Sequence, residues 1–289
     1  MSRVSRVTIV AIALLLISNV IPGQDDIKTD IKSGKGSMPL GWEWARNKGI
    51  TLPSKYGASL FYTYMTRNVE VTDVTVEIPD QEPQSISEFS TFAVKNQTSV
   101  TALKLDTWVL PVLNIYVLAG YANTDANLNA GFTIDRILPL PPVEIEIQTK
   151  TQVKGPYLGI GTTIVGGYKY WFIMADVNYG ESWPDKLNNS VNFTMLSLRS
   201  GFSGNVGDYH SLKAWLGAIY MESKTTLEIK AQSDPLGEVI VSVYQHPENP
   251  WTMQCGFMLS LNQRVDIMTE LGTNFKDASI SVVTASYRF

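Results

Sequence analysis

The sequence predicts an all-β fold: a transmembrane antiparallel up-and-down β-barrel of about ten strands, with eight to twelve as the range. Three observations carry this expectation. Alternating apolar and polar segments recur from residue 54 to the end, each about as long as a tilted strand needs to cross hydrocarbon. Their connections sort into short turns on one side and long stretches on the other, a rim asymmetry that a membrane barrel has and a soluble sandwich has no reason to adopt. Aromatic residues fall at matching strand ends on the more apolar parity, while charged residues gather on the other.

Residues 1–24 read as a signal peptide. Arg3 and Arg6 precede an apolar run from Val7 to Ile17, which turns small and breaks at Pro22-Gly23. The run is too short to span a bilayer as a helix, and no later apolar run approaches that length. Residues 25–53 form a leader in which Trp42, Trp44 and Arg46 lie close together. They fit two arrangements equally: a short amphipathic turn docked at the barrel mouth, or a loosely ordered leader with its Trp residues at the membrane interface.

Residues 54–289 supply the barrel. The ten segments are "KYGASLFYTYM", "SVTALKLDTWVL", "VLNIYVLAGYA", "PYLGIGTTIVG", "YKYWFIMADVNY", "VNFTMLSLRSGF", "SLKAWLGAIYM", "WTMQCGFMLSL", "RVDIMTELGTNF" and "ASISVVTASYRF". Short turns are expected at Pro111, Gly166-Gly167, "SGNVGDYH" and Asn262. Long connections fall around 67–97, 124–154 and 223–250, a medium one around 181–190, and a tight one at Lys276-Asp277. Within the second of these, "LPLPPVEIEIQTKTQ" alternates past the membrane limit, so two strands are expected to extend there as a hairpin above the bilayer.

Parity then assigns the faces. If the odd-numbered segments run toward the long-loop rim, Tyr64, Tyr121, Tyr179, Tyr220 and Phe275 stand at equivalent heights on the apolar parity, as an interfacial girdle requires. Tyr287 and Phe289 belong to the opposite girdle. The other parity carries Lys104, Asp106, Asp176, Arg199, Lys213, Arg264, Asp266, Glu270 and Arg288. A dry core would charge several kcal/mol for each unpaired ion in that set, whereas a lumen lets them pair across the barrel or line a passage.

The signal peptide, the barrel layout and the closing "ASYRF" together resemble the Gram-negative outer-membrane β-barrel proteins, with no subfamily indicated. The resemblance implies export to the outer membrane, contact with its lipid and lipopolysaccharide, and insertion by the barrel-assembly machinery. It also implies that Tyr287 and Phe289 act as the assembly signal that this machinery reads.

Other chemistries find little support. A net charge of -4 argues against a nucleic-acid partner. One cysteine and two histidines make no zinc set, so no metal and no cofactor are expected. His210 is followed by Ser211, but neighbouring strand residues point to opposite faces, and "DYHSLK" lacks the His-x-Ser spacing of the barrel phospholipases and deacylases. His246 sits beside Pro247 in a long connection. No catalytic residues are therefore assigned, and the chain is not expected to be an enzyme. Glu70, Asp73, Glu77, Asp80, Glu82 and Glu88 read as a solvated acidic loop; capture of calcium or of divalent-bridged lipopolysaccharide is the alternative, although the spacing is not an EF-hand. Gly159 and Gly161 share the interior parity, where they make room for a bulky neighbour or bend the sheet.

The function expected is that of a narrow porin-like or small-solute channel with a charged lumen, since about ten strands leave little free space once side chains project inward. The alternative is a structural or adhesin-like barrel whose long loops bind a surface ligand.

Overall fold

The fold is that of a computed structural model, which describes residues 41–47, 53–77, 84–85, 90–134, 143–185, 189–206, 210–233, 237–261 and 264–289. The signal peptide, most of the leader, and Asp80, Glu82 and Glu88 lie outside the described residues. A short helix α1 (Trp42–Asn47) precedes twelve strands. They are β1 (Tyr56–Glu77), β2 (Gln84–Ser85), β3 (Ser90–Leu110), β4 (Leu113–Ile134), β5 (Val143–Tyr168), β6 (Trp171–Ser182), β7 (Val191–Val206), β8 (His210–Ser233), β9 (Gly237–Pro247), β10 (Trp251–Ser260), β11 (Val265–Thr273) and β12 (Ala278–Arg288).

Ten of these close a ring. Each pairs antiparallel with its neighbour in the order β1-β3-β4-β5-β6-β7-β8-β10-β11-β12, and β12 returns to β1 with Gly57 opposite Arg288. Closure leaves the membrane-crossing segments without an edge, the condition for placing strands in lipid. The ten segments expected from alternation are these ten strands.

One rim carries the tight connections. β3 and β4 turn at Pro111-Val112, and β5 pairs with β6 up to Tyr168 opposite Trp171. That turn, expected at Gly166-Gly167, is therefore at Lys169-Tyr170: the strand runs through the glycines, and Lys169 takes the positive φ of 54° that reverses the chain. Gly41, just ahead of α1, lies against Pro111, which puts the helix at this same rim, with Trp42 buried.

At the other rim the hairpin expected to extend above the bilayer is formed by β4 and β5, and elsewhere much of what reads as long connection is strand. β4 and β5 stay paired without interruption to Ile134 opposite Val143, and β8 runs for 24 residues. Both exceed twice the length a crossing needs. β9 lies wholly within the connection expected at 223–250. It pairs with β8 through Thr225 opposite Gln245 and with β1 through Val76 opposite Val241, and so bridges the two above the shorter β10, β11 and β12. His246, expected in a loop, is consequently a strand residue opposite Glu70. The result is a tall wall of β1, β3, β4, β5, β8 and β9 rising from one part of the barrel.

Outside, the membrane-crossing surface is apolar. Leu216, Ile160, Leu198 and Phe257 are exposed midway along their strands. Aromatic residues mark both limits. Tyr220 and Trp251 are paired across β8 and β10 with rings 5.2 Å apart at the tall rim, and Trp171 faces Phe202 at the short one.

Candidate functional site

The site is the barrel interior, built from the residues that alternate with the lipid-facing ones. Near the short rim, Asp106 on β3 is almost fully enclosed. It accepts hydrogen bonds from Arg288 Nη2 on β12 at 2.9 Å and from Asn114 Nδ2 on β4 at 3.1 Å. Arg288 also lies 5.8 Å from the Trp108 ring and donates to the Ser54 carbonyl. Nearby, Ser260 donates to Asp266 at 2.6 Å, and the Arg264 carbonyl accepts from the Arg288 amide.

Two clusters fill the middle. In one, Arg199 on β7 reaches Glu270 on β11 through Nε at 2.7 Å and Nη2 at 3.1 Å, and Trp215 Nε1 on β8 donates to the same carboxylate at 2.9 Å. The pair spans the lumen, because β8 and β10 stand between β7 and β11 in the ring. Two donors on different strands thus satisfy one carboxylate, the arrangement that offsets the desolvation of buried ions. In the other cluster, Asp176 accepts from Tyr116 Oη at 2.9 Å, Thr163 Oγ1 at 2.6 Å and Asn178 Nδ2 at 3.3 Å. Lys104 Nζ lies 3.9 Å from the centre of the Tyr116 ring, a cation–π contact.

Toward the tall rim the interior is mixed, with Arg67, Asn178, Gln245, Thr252 and Gln254 buried beside an apolar cluster. Ala102, Leu118, Tyr116 and Tyr157 form a buried cluster with Phe61, Val100 and Phe193 packed against it. Beside it, Arg67 donates to the Met221 carbonyl at 3.2 Å, over a cavity of about 10 Å³ bordered by Met65, Ile219 and Ile280. That is room for about one water molecule.

Two large rings fit only because the strand opposite supplies a glycine. A Cβ at Gly161 would collide with the Tyr116 ring, and one at Gly256 with Trp215. Ring and glycine interlock across adjacent strands at these two places.

The charged residues named from the sequence occupy this interior series. Lys213 stands opposite Met258, one inward position from the Ser260–Asp266 contact, and Arg264 sits at the foot of β11. The aromatic set divides between rims. Tyr64, Tyr121, Tyr179 and Tyr220 lie toward the tall rim, with Tyr179 Oη donating to Asn192, and Phe275 projects from the β11–β12 turn at a φ of 61°. At the short rim Tyr287 and Phe289 stack at 6.3 Å, and Phe289 stacks on Tyr56 at 6.2 Å. Tyr116, Trp215, Thr163 and Arg67 had not been singled out. Inward parity marks each of them, but an aromatic or a hydroxyl on that parity gives no local sign of the carboxylate it will meet.

A closed antiparallel ring with an apolar outer band, aromatic limits and a largely polar interior is the architecture of an integral membrane β-barrel. No family model matches the chain, and no curated protein matches it in sequence. Among solved structures it is similar to the outer membrane protein OprG from Pseudomonas aeruginosa, with a TM-score of 0.42 and 10% identity over 82% of this chain and 98% of that one. It is also similar to the translocator domain of the autotransporter NalP from Neisseria meningitidis (TM-score 0.38, 11% identity, 85% of this chain and 93% of that one). A third is the Ralstonia pickettii toluene transporter TbuX (TM-score 0.31, 12% identity, 82% of this chain and 90% of that one).

Proposed function

We propose that the protein is a non-enzymatic barrel with a closed lumen, whose working part is the β-wall held above the membrane for contact with a surface ligand. The Arg199–Glu270 pair carries this reading. It crosses the lumen at mid-height with both side chains largely enclosed, and breaking it would strand a buried charge. A barrel built for free diffusion has no use for such a crossbar, whereas a pedestal gains rigidity from it. Single-channel recording of the refolded protein in a planar bilayer tests the reading. A silent bilayer, with insertion verified by heat-modifiable gel mobility, is the expected result; discrete steps at moderate voltage would overturn it.

A second reading, a narrow solute channel, is favoured by one observation. Asn178 Oδ1, Ser197 Oγ and both amide atoms of Gln254 are buried without a partner, on the interior parity of β6, β7 and β10. Buried polar atoms of this kind call for water or a polar solute. Discrete steps whose ion selectivity shifts when Asp266 and Glu270 are changed to Lys would support it.

A further inference from the structure

Above the tyrosine girdle the outer face of β3, β4 and β5 changes from apolar to cationic. These strands stay in register, so their outward residues stack in rows. Thr101, Tyr121 and Pro156 form the row at girdle height, with the Tyr121 side chain exposed. The next row up is Ser99, Asn123 and Lys154, and the one above it Gln97, Asp125 and Gln152. The third is Lys95, Asn127 and Lys150. Below Tyr121 the same outward series carries exposed Leu103, Val117, Leu158 and Ile160. One continuous face is therefore apolar at membrane depth and holds three lysines among amides and hydroxyls just above it.

The lysines are not neutralised by the protein itself. Among the described residues, Lys95, Lys150 and Lys154 form no ion pair. Two carboxylates come near, and each is engaged by a neutral donor. Asp125 Oδ1 accepts from Gln152 Nε2 at 2.8 Å, and Asp185 Oδ1 accepts from the Lys154 backbone amide at 2.9 Å. Other parts of the outer surface at this height carry the opposite sign. The outward residue beyond Tyr179 on β6 is Glu181, and the one beyond Tyr220 on β8 is Glu222. At the β11–β12 turn, Lys276 is held by Glu248.

Lys95 and Lys150 are two inter-strand spacings apart, roughly 10 Å, and Lys154 lies four residues below Lys150, roughly 13 Å along the strand. Three mobile ammonium groups on that scale can grip phosphates at two ends of one headgroup, each as a point charge. Between them, Gln97, Ser99 and Asn127 present both donors and acceptors, as the hydroxyls of a sugar require.

We propose that this face is a binding site for a phosphorylated glycolipid in the leaflet at the tall rim. Lys154 takes a phosphate close to the girdle, Lys95 and Lys150 take one further up, and the acyl chains lie along Leu158, Ile160 and Val117. The continuity of the two surfaces favours an amphiphile, because a soluble polyanion would use only the upper half. The site lies on the outside of the barrel, so it holds whether or not the lumen conducts.

The test titrates the full protein, purified in a mild detergent, with a diphosphorylated glucosamine-disaccharide lipid and reads bound lipid by native mass spectrometry. Lys95→Gln, Lys150→Gln and Lys154→Gln should each weaken binding about fivefold at low salt, and the triple variant should lose considerably more. Lys169→Gln, at the short rim, should leave binding unchanged. The dephosphorylated form of the same lipid should bind as weakly to the native protein as the phosphorylated lipid does to the triple variant. Heat-modifiable mobility checks folding, and the single variants decide the matter if the triple one does not fold. Equal binding by native and lysine-substituted protein would overturn the proposal, as would equal binding of the two lipid forms. Phosphatidylglycerol bound as tightly through the same lysines would reduce the face to a general anion patch and overturn the glycolipid. The phosphorylated disaccharide without its acyl chains, if bound as tightly as the lipid, would overturn the membrane-resident occupant. None of these readouts depends on the lumen, so their failure leaves the closed-lumen reading to its own test.

Discussion

Arg199 on β7 and Glu270 on β11 form a two-point ion pair across two intervening strands, with Trp215 donating to the same carboxylate. The contact joins parts of the ring that the sheet's own hydrogen bonds connect only through β8 and β10. Changing Glu270→Ala leaves Arg199 enclosed without its counter-ion and Trp215 Nε1 without an acceptor. The expected loss is about 3–5 kcal/mol of unfolding free energy. Replacing both members, Arg199→Met with Glu270→Leu, removes the stranded charge and should lose clearly less. Urea titration of the refolded barrel, followed by Trp fluorescence, compares the two, and equal losses would argue against a coupled pair.

Gly161 and Tyr116 occupy one space between them. The Tyr116 ring lies where a Cβ on Gly161 would sit, and its hydroxyl is committed to Asp176, so the ring cannot swing away without breaking that bond. Gly161→Ala is therefore expected to destabilise the barrel by about 1–3 kcal/mol, the range for overpacking a filled interior. Tyr116→Ala in the same chain should recover part of the loss. The coupling energy from a double-mutant cycle is the measurement, and strict additivity would contradict the interlock.

The membrane-crossing barrel was legible because period-two alternation writes its two faces directly into each strand. Lys104, Asp176 and Glu270 fell on one parity and Tyr121, Tyr179 and Tyr220 on the other. What alternation leaves unsaid is partnership across the lumen. Nothing local to Arg199 names Glu270, since the match depends on the stagger accumulated through β8 and β10. The β4–β5 extension was legible, since the alternation of "LPLPPVEIEIQTKTQ" past the membrane limit marks a hairpin above the bilayer. The upper part of β8 was not, because Leu227 and Ile229 alternate on the parity opposite to that of the crossing segment below them, and a search for crossing strands stops there. β9 was missed because it crosses nothing and has its partners, β8 and β1, only above the rim. At Gly166-Gly167 the residue types suggested a turn, but the pairing of Gly167 with Phe172 carries the sheet past them.

Cys255 lies exposed on the lipid-facing parity of β10, opposite Leu216 on β8 and Leu271 on β11. In a bilayer that position is covered by hydrocarbon. A charged, membrane-impermeant maleimide needs the thiolate, which forms only in contact with water. The folded protein in vesicles should resist such a reagent for hours, while the urea-unfolded chain should react fully. Mass spectrometry of the intact protein reads the added mass. Rapid labelling in vesicles would place β10 in water and contradict the assignment of faces.

Depth on the same outer face can be read with a charge. Leu216 is the more exposed of two lipid-facing leucines on β8 and lies midway between the aromatic limits, whereas Leu212 stands two turns of the alternation lower, close to the short rim. An arginine at the middle of the bilayer costs about 2–4 kcal/mol, and one near the interface about 0–1 kcal/mol because its head reaches water. Leu216→Arg should therefore destabilise the folded barrel by several times as much as Leu212→Arg, measured by reversible denaturation in lipid vesicles. The order matters more than the size. Comparable losses at both positions would mean that the hydrocarbon band does not lie between the Tyr220–Trp251 and Trp171–Phe202 pairs, and the membrane would have to be placed elsewhere along the strands.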